Sequence, residues 1–335
     1  MHTGILTDLD FEADGRSATF LSIPYSIDRS PYFQVKIPVF RFRNGAGPRL
    51  LLMAGNHGDE YEGVFALGHI LRALETNLIR GAVTILPMSN IHAVMGARRR
   101  SPLDNGNLNR AFPGDPAGTP TERLAHYLEH ALFPQHDVVF DIHSGGTSME
   151  HLTTALIERQ PTPEMMDKAR DLLEHLGQDY AFIAENGYDS PTSMGAAARA
   201  GAIGISGEFG GGATVTPVTM ENTKRAIDNL LVRLGITQAP LISESKAPVS
   251  TTILALQSHD QAIYATRRGW FEPVVTLGQT VAAGDVAGYY HDLERLECQA
   301  DALMFRRGGI VISRRLHADC QAGDCLIQAA AEIES

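Results

Sequence analysis

Three side chains that can bind a metal ion stand where apolar runs of the sequence end. His57 and Glu60 lie in GNHGDEYEG, residues 55 to 63, directly after the run RLLLMA, and His143 ends the run DVVFDIHSGG. A spacing of three residues at a strand-to-helix turn points both side chains to one side, close enough to bind one cation. Two histidines and a glutamate form a ligand set of catalytic zinc that leaves one coordination position open. The sequence therefore predicts one zinc ion per chain on these three residues.

The H-x-x-E spacing is not specific by itself, because it recurs in two other places. His126 with Glu129 and His291 with Glu294 repeat it. The first of these copies falls within a helical stretch whose neighbours indicate a solvated polar face. His57 instead follows an apolar strand, at the edge where open α/β sheets place their ligand sites. The position of His57 and Glu60 after a strand, rather than their spacing, therefore favours them over the other two copies as metal ligands.

A third apolar run, AIGISGEFGGG, ends in a carboxylate that is suited to act as a base. Glu208 is surrounded by glycines that permit close approach of a ligand. We predict that it takes a proton from water and passes it to a departing amine; the alternative is a strand-end glutamate that faces solvent. Asp141, two residues before His143 on the same strand face, is expected to orient that ring. Glu62, in the helix after the first motif, is expected to face away from the metal.

An arginine-rich loop, ARRRSPLDNGNLNRAFPG, spans residues 97 to 114. Arginine is suited to bidentate capture of carboxylates, so Asn109 and Arg110 are predicted to bind the carboxylate of a substrate. One of the upstream arginines is predicted to polarise the scissile carbonyl and to stabilise its oxyanion. The alternative is a surface charge run. The stretch is too short and isolated for nucleic acid.

The elements that must position these residues alternate between strands and helices from about residue 49 to 235. The predicted strands are RLLLMAG, AVTILPMS, DVVFDIHSG, YAFIA and AIGISGEFG. Between them, YEGVFALGHILRALE, TERLAHYLEHALF, PEMMDKARDLLEHLG and TMENTKRAIDNLLVRLG have the apolar period of amphipathic helices. This alternation predicts an α/β sheet covered on both faces. Residues 1–48 are expected to add small strands to a domain that spans 1–240.

The composition changes after Gly235. TQAPLISESKAPVST reads as a linker, and residues 248–335 carry the glycines and short alternating segments of a small all-β domain. Its rhythm of turns and strands resembles the lipoyl/biotinyl type of barrel. Carrier members of that type need a lysine at a hairpin tip, and no lysine follows Lys246. We therefore expect no carried group.

Charge and composition restrict the classes of partner. The 335 residues include 28 basic and 39 acidic ones, a formal net charge of −11, which disfavours a nucleic-acid partner. No signal-peptide pattern or long apolar run is present, so we expect no membrane partner and a cytoplasmic location. The three cysteines, Cys298, Cys320 and Cys325, lack paired spacing and are expected to be reduced and incidental.

Four motifs together, GNHGDEYEG, NLNRAFPG, DIHSGG and GEFGGG in that order, resemble the succinylglutamate desuccinylase/aspartoacylase family. The resemblance covers about residues 50 to 240. It implies a zinc-carboxypeptidase-like mixed sheet flanked by helices, here followed by a small C-terminal barrel-sandwich-like β domain. It also implies the same site roles: zinc on His57, Glu60 and His143, acid/base work by Glu208, and carboxylate binding by Asn109 and Arg110.

The family also has a carbonyl-polarising arginine a little upstream of the Asn-Arg pair. In the run R-R-R-S-P, Arg99 fits the R-x-S-P spacing best, and Arg100 is the competitor. Within the family, the glycine-rich strand end, the SPLDNGNLNR loop and the chain length resemble the branch that removes acetyl groups from N-acetyl-2,4-diaminobutyrate in ectoine breakdown.

The predicted function is that of a zinc amidohydrolase that removes a short acyl group, with acetyl favoured, from a small-molecule N-acyl amino acid. Four alternatives stay open: an aspartoacylase-type deacylase, a succinylglutamate desuccinylase-type deacylase, a zinc carboxypeptidase, and a non-catalytic metal-binding assembly protein. A homo-oligomer is expected, because symmetric assemblies are common among soluble enzymes.

Overall fold

The computed structural model of the protein describes residues 4–244 and 250–333. Within these ranges the α-helices are α1 Glu62–Ala73, α2 Ile91–Met95, α3 Pro120–Tyr127, α4 Pro163–His175, α5 Ser193–Arg199 and α6 Pro217–Arg233. A π-helical turn, Leu128–Leu132, continues α3, and short 3-10 turns occur at Thr76–Leu78, Leu108–Arg110, Phe133–Gln135 and His259–Gln261.

The strands in the first part of the chain are β1 Gly15–Pro24, β2 Gln34–Asn44, β3 Arg49–Ala54, β4 Gly81–Leu86, β5 Val138–His143, β6 Met149–His151, β7 Thr154–Glu158, β8 Tyr180–Ala184 and β9 Ile203–Glu208. Those in the second part are β10 Thr252–Ala255, β11 Ala262–Tyr264, β12 Gly269–Pro273, β13 Thr280–Val281, β14 Val286–His291, β15 Asp301–Met304, β16 Gly309–Arg315, β17 Asp319–Cys320 and β18 Cys325–Glu332.

One large mixed sheet organises the molecule, in the order β1-β2-β4-β3-β5-β9-β7-β8-β10-β18-β16-β13. Its centre, β4-β3-β5-β9, is parallel. The strands β1, β2 and β7 run antiparallel to their neighbours β2, β4 and β9. Residues of β4 and β5 are buried throughout, as expected of parallel strands covered on both faces. The predicted mixed α/β sheet is confirmed.

Two hydrophobic cores lie on opposite faces of this sheet. In β5, Phe140 and Ile142 belong to the core that contains residues of α1, α4 and α6. Val139 belongs to the other core, which contains residues of α3 and α5. Because side chains alternate along a strand, Asp141 and His143 lie on the same face as Val139. The sheet thus directs these two polar side chains toward the α5 side.

The strands and helices predicted between residues 49 and 235 are present. The strands β6 and β7, between His143 and α4, and the short helices α2 and α5 were not predicted. Glu129, expected on a solvated helix face, is buried in the π-helical turn after α3, and that expectation is wrong. The physical reason is its partner: Arg199 of α5 packs there, with Nη2 2.8 Å from Oε2 of Glu129.

The C-terminal strands form a β-rich region, and part of it continues the main sheet. Strand β10 pairs in parallel with β8, β18 pairs with β10, and β16 pairs with β6. A separate sheet has the order β15-β14-β12-β17. The division at 240 and 248 stays a prediction, and part of the predicted linker, residues 245–249, lies outside the described residues. None of the helices in the described ranges combines the length and apolar character that a membrane span requires.

Candidate active site

The three predicted metal ligands meet at the carboxyl edge of the parallel strands. His57 and Glu60 lie between β3 and α1, and His143 ends β5, the parallel neighbour of β3. All three are buried, and one potential ligand atom of each lies within 4.8 Å of the others. Nδ1 of His57 lies 2.7 Å from Oε1 of Glu60, and Nδ1 of His143 lies 2.9 Å from Oε2. The potential ligand atoms of the three side chains therefore lie close enough together to bind one ion.

Hydrogen bonds on the far side of each ring select the nitrogen that can bind a metal. Nε2 of His143 lies 2.9 Å from Oδ2 of Asp141, and Nε2 of His57 lies 3.2 Å from Oδ1 of Asn107. An acceptor at Nε2 holds the ring proton there and leaves the Nδ1 lone pair free for a cation. Two neutral imidazoles and one carboxylate are a donor set that suits Zn²⁺. The residues present thus fit a zinc ion.

Asp141 is fixed by two further polar groups. The carboxylate is buried, and its Oδ2 accepts hydrogen bonds from Nδ2 of Asn56 at 2.8 Å and from Oγ of Ser193 at 2.5 Å. Burial alone would raise the pKa of Asp141, but His143 and these donors hold the pKa below its usual value. Asp141 lies where the sequence placed it. Asn56, Asn107 and Ser193 were not predicted.

The electrostatics of the ligand cluster favour a positive charge at its centre. Burial would raise the pKa of Glu60, but the charges and hydrogen bonds of His57 and His143 hold it below its usual range. Burial lowers the pKa of His143, yet the carboxylates of Asp141 and Glu60 raise it well above its usual value. A metal ion and a proton therefore compete for the same ring nitrogen.

Glu208 ends β9 beside His143. The two are register partners on parallel strands, and on its other side Glu208 pairs with Thr154 of β7. The side chain is partly exposed, and its buried Oε2 has no hydrogen-bond partner among the described residues. The glycines that follow are required by close packing: at Gly211, with φ of +157°, an added Cβ would lie 2.0 Å from the carbonyl oxygen of Met149. The carboxylate is thus free to accept a proton.

The arginine loop reaches the ligands through Arg99. Nη1 of this half-exposed side chain lies 3.3 Å from Nδ1 of His57 and 3.5 Å from Oε1 of Glu60. The backbone N–H of Gly58 donates to the carbonyl of Arg98 at 3.0 Å, which ties the loop to the metal-binding turn. In the part of the chain that the structure describes, no ion pair or side-chain hydrogen bond joins Arg100 to these ligands. Of these two arginines, Arg99 is therefore the one whose side chain contacts the ligand cluster.

Asn109 and Arg110 lie on the 3-10 turn Leu108–Arg110. Oδ1 of Asn109 accepts a hydrogen bond from the backbone N–H of Ser193 at 2.8 Å, so its amide N–H groups are the part left to meet a ligand. The guanidinium of Arg110 is exposed and lines a cleft beside the start of α5. Asn109 is connected to the metal-binding cluster through Ser193, which also donates to Asp141.

Two other carboxylates of the first motif, those of Asp59 and Glu62, are not among the three clustered ligands. Oδ2 of Asp59 accepts hydrogen bonds from the backbone N–H and the hydroxyl of Thr147 at 2.8 and 3.1 Å, which fixes the loop after His143. Glu62 is buried in the first turn of α1, where an added Cβ on Gly210 would lie 2.7 Å from its Oε1. Burial raises the pKa of Glu62 to about 7.

A buried His₂Glu set that could hold a metal ion lies beside a free carboxylate on the edge of a mixed α/β sheet, an arrangement suited to hydrolysis. The chain belongs to the succinylglutamate desuccinylase/aspartoacylase family, whose catalytic-domain model matches residues 46–234. The family prediction is confirmed, and the chain is a hydrolase of the class that cleaves amide bonds.

Several members of the family are similar to this chain over nearly its whole length. The chain is 37% identical to the N-alpha-acetyl-L-2,4-diaminobutyric acid deacetylase of Halomonas elongata, over 99% of this chain and 96% of the relative. The product-bound structure of the ectoine utilization protein EutE (DoeB) from Ruegeria pomeroyi superposes with a TM-score of 0.91 at 30% identity, covering 98% of this chain and 99% of that one. A succinylglutamate desuccinylase/aspartoacylase structure from Rhodobacter sphaeroides gives 0.92 at 30% identity, covering 98% and 100%.

Proposed function

We propose that the protein is a zinc-dependent amidohydrolase that removes the acetyl group from an N-acetyl amino acid, with N-α-acetyl-2,4-diaminobutyrate as its substrate. The observation that carries the proposal is the buried set His57, Glu60 and His143 with the free carboxylate of Glu208 on the adjacent strand. The relative from Halomonas elongata supports the choice of acyl group and amino acid, because its similarity extends over both chains.

The metal is proposed to be one zinc ion per chain. His57 and His143 would bind through Nδ1 and Glu60 through its carboxylate, with Asp141 and Asn107 holding the ring protons on Nε2. When bound, zinc supplies a Lewis acid that polarises the amide carbonyl and lowers the pKa of water.

The chemistry proposed for the chain's own residues is proton transfer and charge stabilisation. Glu208 takes the proton of the attacking water on its carboxylate and delivers it to the amide nitrogen as the amine departs. Arg99, close to the ligand cluster, places its guanidinium where negative charge develops on the carbonyl oxygen. A partly exposed carboxylate with a free oxygen is suited to both proton transfers.

Recognition of the amino-acid part is proposed for Arg110 and Asn109. The planar guanidinium of Arg110 can bind the α-carboxylate through two parallel hydrogen bonds. The amide of Asn109 donates to the same group, because the hydrogen bond from Ser193 occupies its oxygen. Both contacts hold the substrate in the ground state and in the transition state.

The test is acetate release by the zinc-loaded protein. We expect hydrolysis of N-α-acetyl-2,4-diaminobutyrate that is lost on chelation and restored by zinc. N-succinyl amino acids and short peptides, assayed for release of the free amine, separate this activity from that of a desuccinylase or a carboxypeptidase. Zinc near one per chain without hydrolysis of any acylated amino acid would contradict the proposal and favour a non-catalytic metal protein.

A further inference from the structure

The segment that follows His143, residues 144–151, contacts a proposed metal ligand at its first residue. The backbone N–H of Ser144 donates to Oε2 of Glu60 at 3.2 Å. The segment ends with the short strand β6, Met149–His151. Its position therefore bears directly on the carboxylate that would bind the metal.

One set of hydrogen bonds joins this segment to the chain just after Glu208. The carbonyl oxygen of Gly210 accepts hydrogen bonds from the backbone N–H groups of Gly145 and His151, both at 3.0 Å. The packing is close, because an added Cβ on Gly145 would lie 2.2 Å from the carbonyl oxygen of Met149. The segment thus fixes the backbone two residues after the proposed base.

A second set of contacts joins the same segment to the C-terminal β-rich region. Strand β16 pairs antiparallel with β6, and Arg314 lies opposite Glu150 in this register. Just after the end of β16, the backbone N–H of Leu316 donates to the carbonyl of Ser148 at 2.9 Å. The segment therefore connects the C-terminal region with the metal-binding turn and with the end of β9.

An ion pair reinforces this connection. Nε and Nη2 of Arg314 both lie 2.9 Å from Oε2 of Glu150. Both side chains are partly exposed, so the pair contributes little to the free energy of unfolding. The backbone of Glu150 also forms a β-bridge with Gly211. The residue that Arg314 holds is thus itself bonded to the glycine run that follows Glu208.

We infer that Arg314 is a positioning residue for hydrolysis at the proposed zinc site. Through Glu150 it holds the 144–151 segment against the glycine run, so the C-terminal region sets where Glu208 stands relative to Glu60. A misplacement of about 1 Å can lower a rate by about 100-fold, because the reacting groups no longer meet in the required geometry. This inference rests on the proposed function.

Kinetics of single variants test the role of the ion pair. Arg314→Gln and Glu150→Gln, assayed as zinc-loaded proteins on an N-acetyl amino acid, should each show kcat lower by about tenfold. We expect KM, zinc per chain and Tm close to those of the wild type, whereas a residue that only stabilised the fold would lower Tm or zinc content. Arg314→Lys keeps the charge and should recover most of kcat.

The matched control is Arg306→Gln, which removes an ion pair with Asp260 within the C-terminal region. It should leave kcat unchanged. Wild-type kcat in Arg314→Gln, or an equal loss in Arg306→Gln, would overturn the inference.

A double variant tests whether the two side chains act through each other. Arg314→Gln combined with Glu150→Gln should be no slower than either single variant, because each substitution removes the same contact. Losses in kcat that multiply in the double variant would contradict positioning through this pair.

Amide hydrogen exchange tests the inference without turnover. In Arg314→Gln, exchange in peptides that cover residues 144–151 and 210–213 should be faster by about three- to tenfold, with no change in Arg306→Gln. Unchanged exchange in these peptides would overturn the inference. Faster exchange, with a wild type that hydrolyses no acylated amino acid, would refute the proposed function but support the hold of Arg314 on the segment.

Discussion

Glu208 and His143 are register partners on the neighbouring parallel strands β9 and β5. Partners in register lie on the same face of a sheet, so the proposed base stands beside a proposed metal ligand, on the face that Asp141 also occupies. Neither side chain depends on a flexible loop for its position. This relationship underlies the proposed proton transfer next to the metal.

The ligand assignment predicts the effect of removing single histidines. His57→Ala and His143→Ala should each lose zinc on dialysis, because the two remaining ligands hold a catalytic zinc poorly. The measurement is zinc per chain by metal analysis. His126→Ala is the control, since this half-buried residue of α3 is not part of the ligand cluster. Equal zinc loss in all three variants, or retention in all three, would contradict the assignment.

Arg110 is expected to bind the substrate carboxylate. Arg110→Lys keeps the charge but loses the planar fork, so we expect KM to rise by about tenfold with a smaller change in kcat. The measurement is steady-state kinetics on an N-acetyl amino acid and on its carboxamide, in which the carboxylate is capped. Equal hydrolysis of the two by the wild type would show that Arg110 has no such role.

The sequence was sufficient to predict where the site would form. Apolar runs that end in His57, His143 and Glu208 identify parallel strands, whose carboxyl ends meet at one edge. The orientation of the rings could not be predicted, because it depends on contacts between distant segments. Ser193 reaches Asp141 only because α5 packs on that face of the sheet. Asn107 approaches His57 through the fold of the arginine loop.

Errors of the sequence-based predictions have a common cause. Glu129 was expected in solvent because its helix looked amphipathic, but Arg199 from a distant helix compensates its burial. The short strands β6 and β7 carry too few residues for a clear period, and they form because β16 and β9 provide partners. Contacts between segments distant in sequence therefore determine both the burial of Glu129 and the formation of β6 and β7. A local sequence pattern does not contain these contacts.

His136 is expected to make stability sensitive to acid. Nδ1 of this buried ring lies 2.9 Å from the carbonyl oxygen of Leu132, and Nε2 lies 2.7 Å from Oγ1 of Thr84. Burial lowers the pKa of His136 to about 4. The unfolded chain, with a histidine pKa near 6.5, binds the proton more readily. The contribution of neutral His136 to the free energy of unfolding is therefore complete above pH 6.5. It falls by about 3 kcal/mol as the pH drops toward 4.

Urea unfolding between pH 4 and pH 7 measures this dependence. His136→Gln should show a shallower loss of the free energy of unfolding with acid than the wild type, by up to one proton in slope. His130→Gln, at an exposed position, is the control. Identical slopes in the wild type and His136→Gln would contradict the assignment.

The C-terminal β-rich region is expected to be needed for the stability of the main sheet. Removal of residues 250–335 takes β10 from β8 and β16 from β6, which exposes unpaired strand edges. We expect a lower Tm and a changed mass state or altered kinetics, measured by light scattering and by assay. The intact protein is expected to be a homo-oligomer without a lipoyl or biotinyl adduct. A truncated protein with unchanged mass state and kinetics would contradict this role.

The most direct test of the proposed mechanism is Glu208→Gln assayed together with its zinc content. The substitution removes the proton acceptor and leaves the ligands, so we expect zinc near one per chain, an unchanged Tm, little change in KM, and kcat lower by about 10² to 10⁴. Glu62→Gln is the control and should lose far less activity, since Glu62 is not among the clustered ligands and is outside the strand register that sets Glu208 beside His143. Near wild-type turnover in Glu208→Gln, or an inactive Glu62→Gln that still binds zinc, would show that the base is not Glu208.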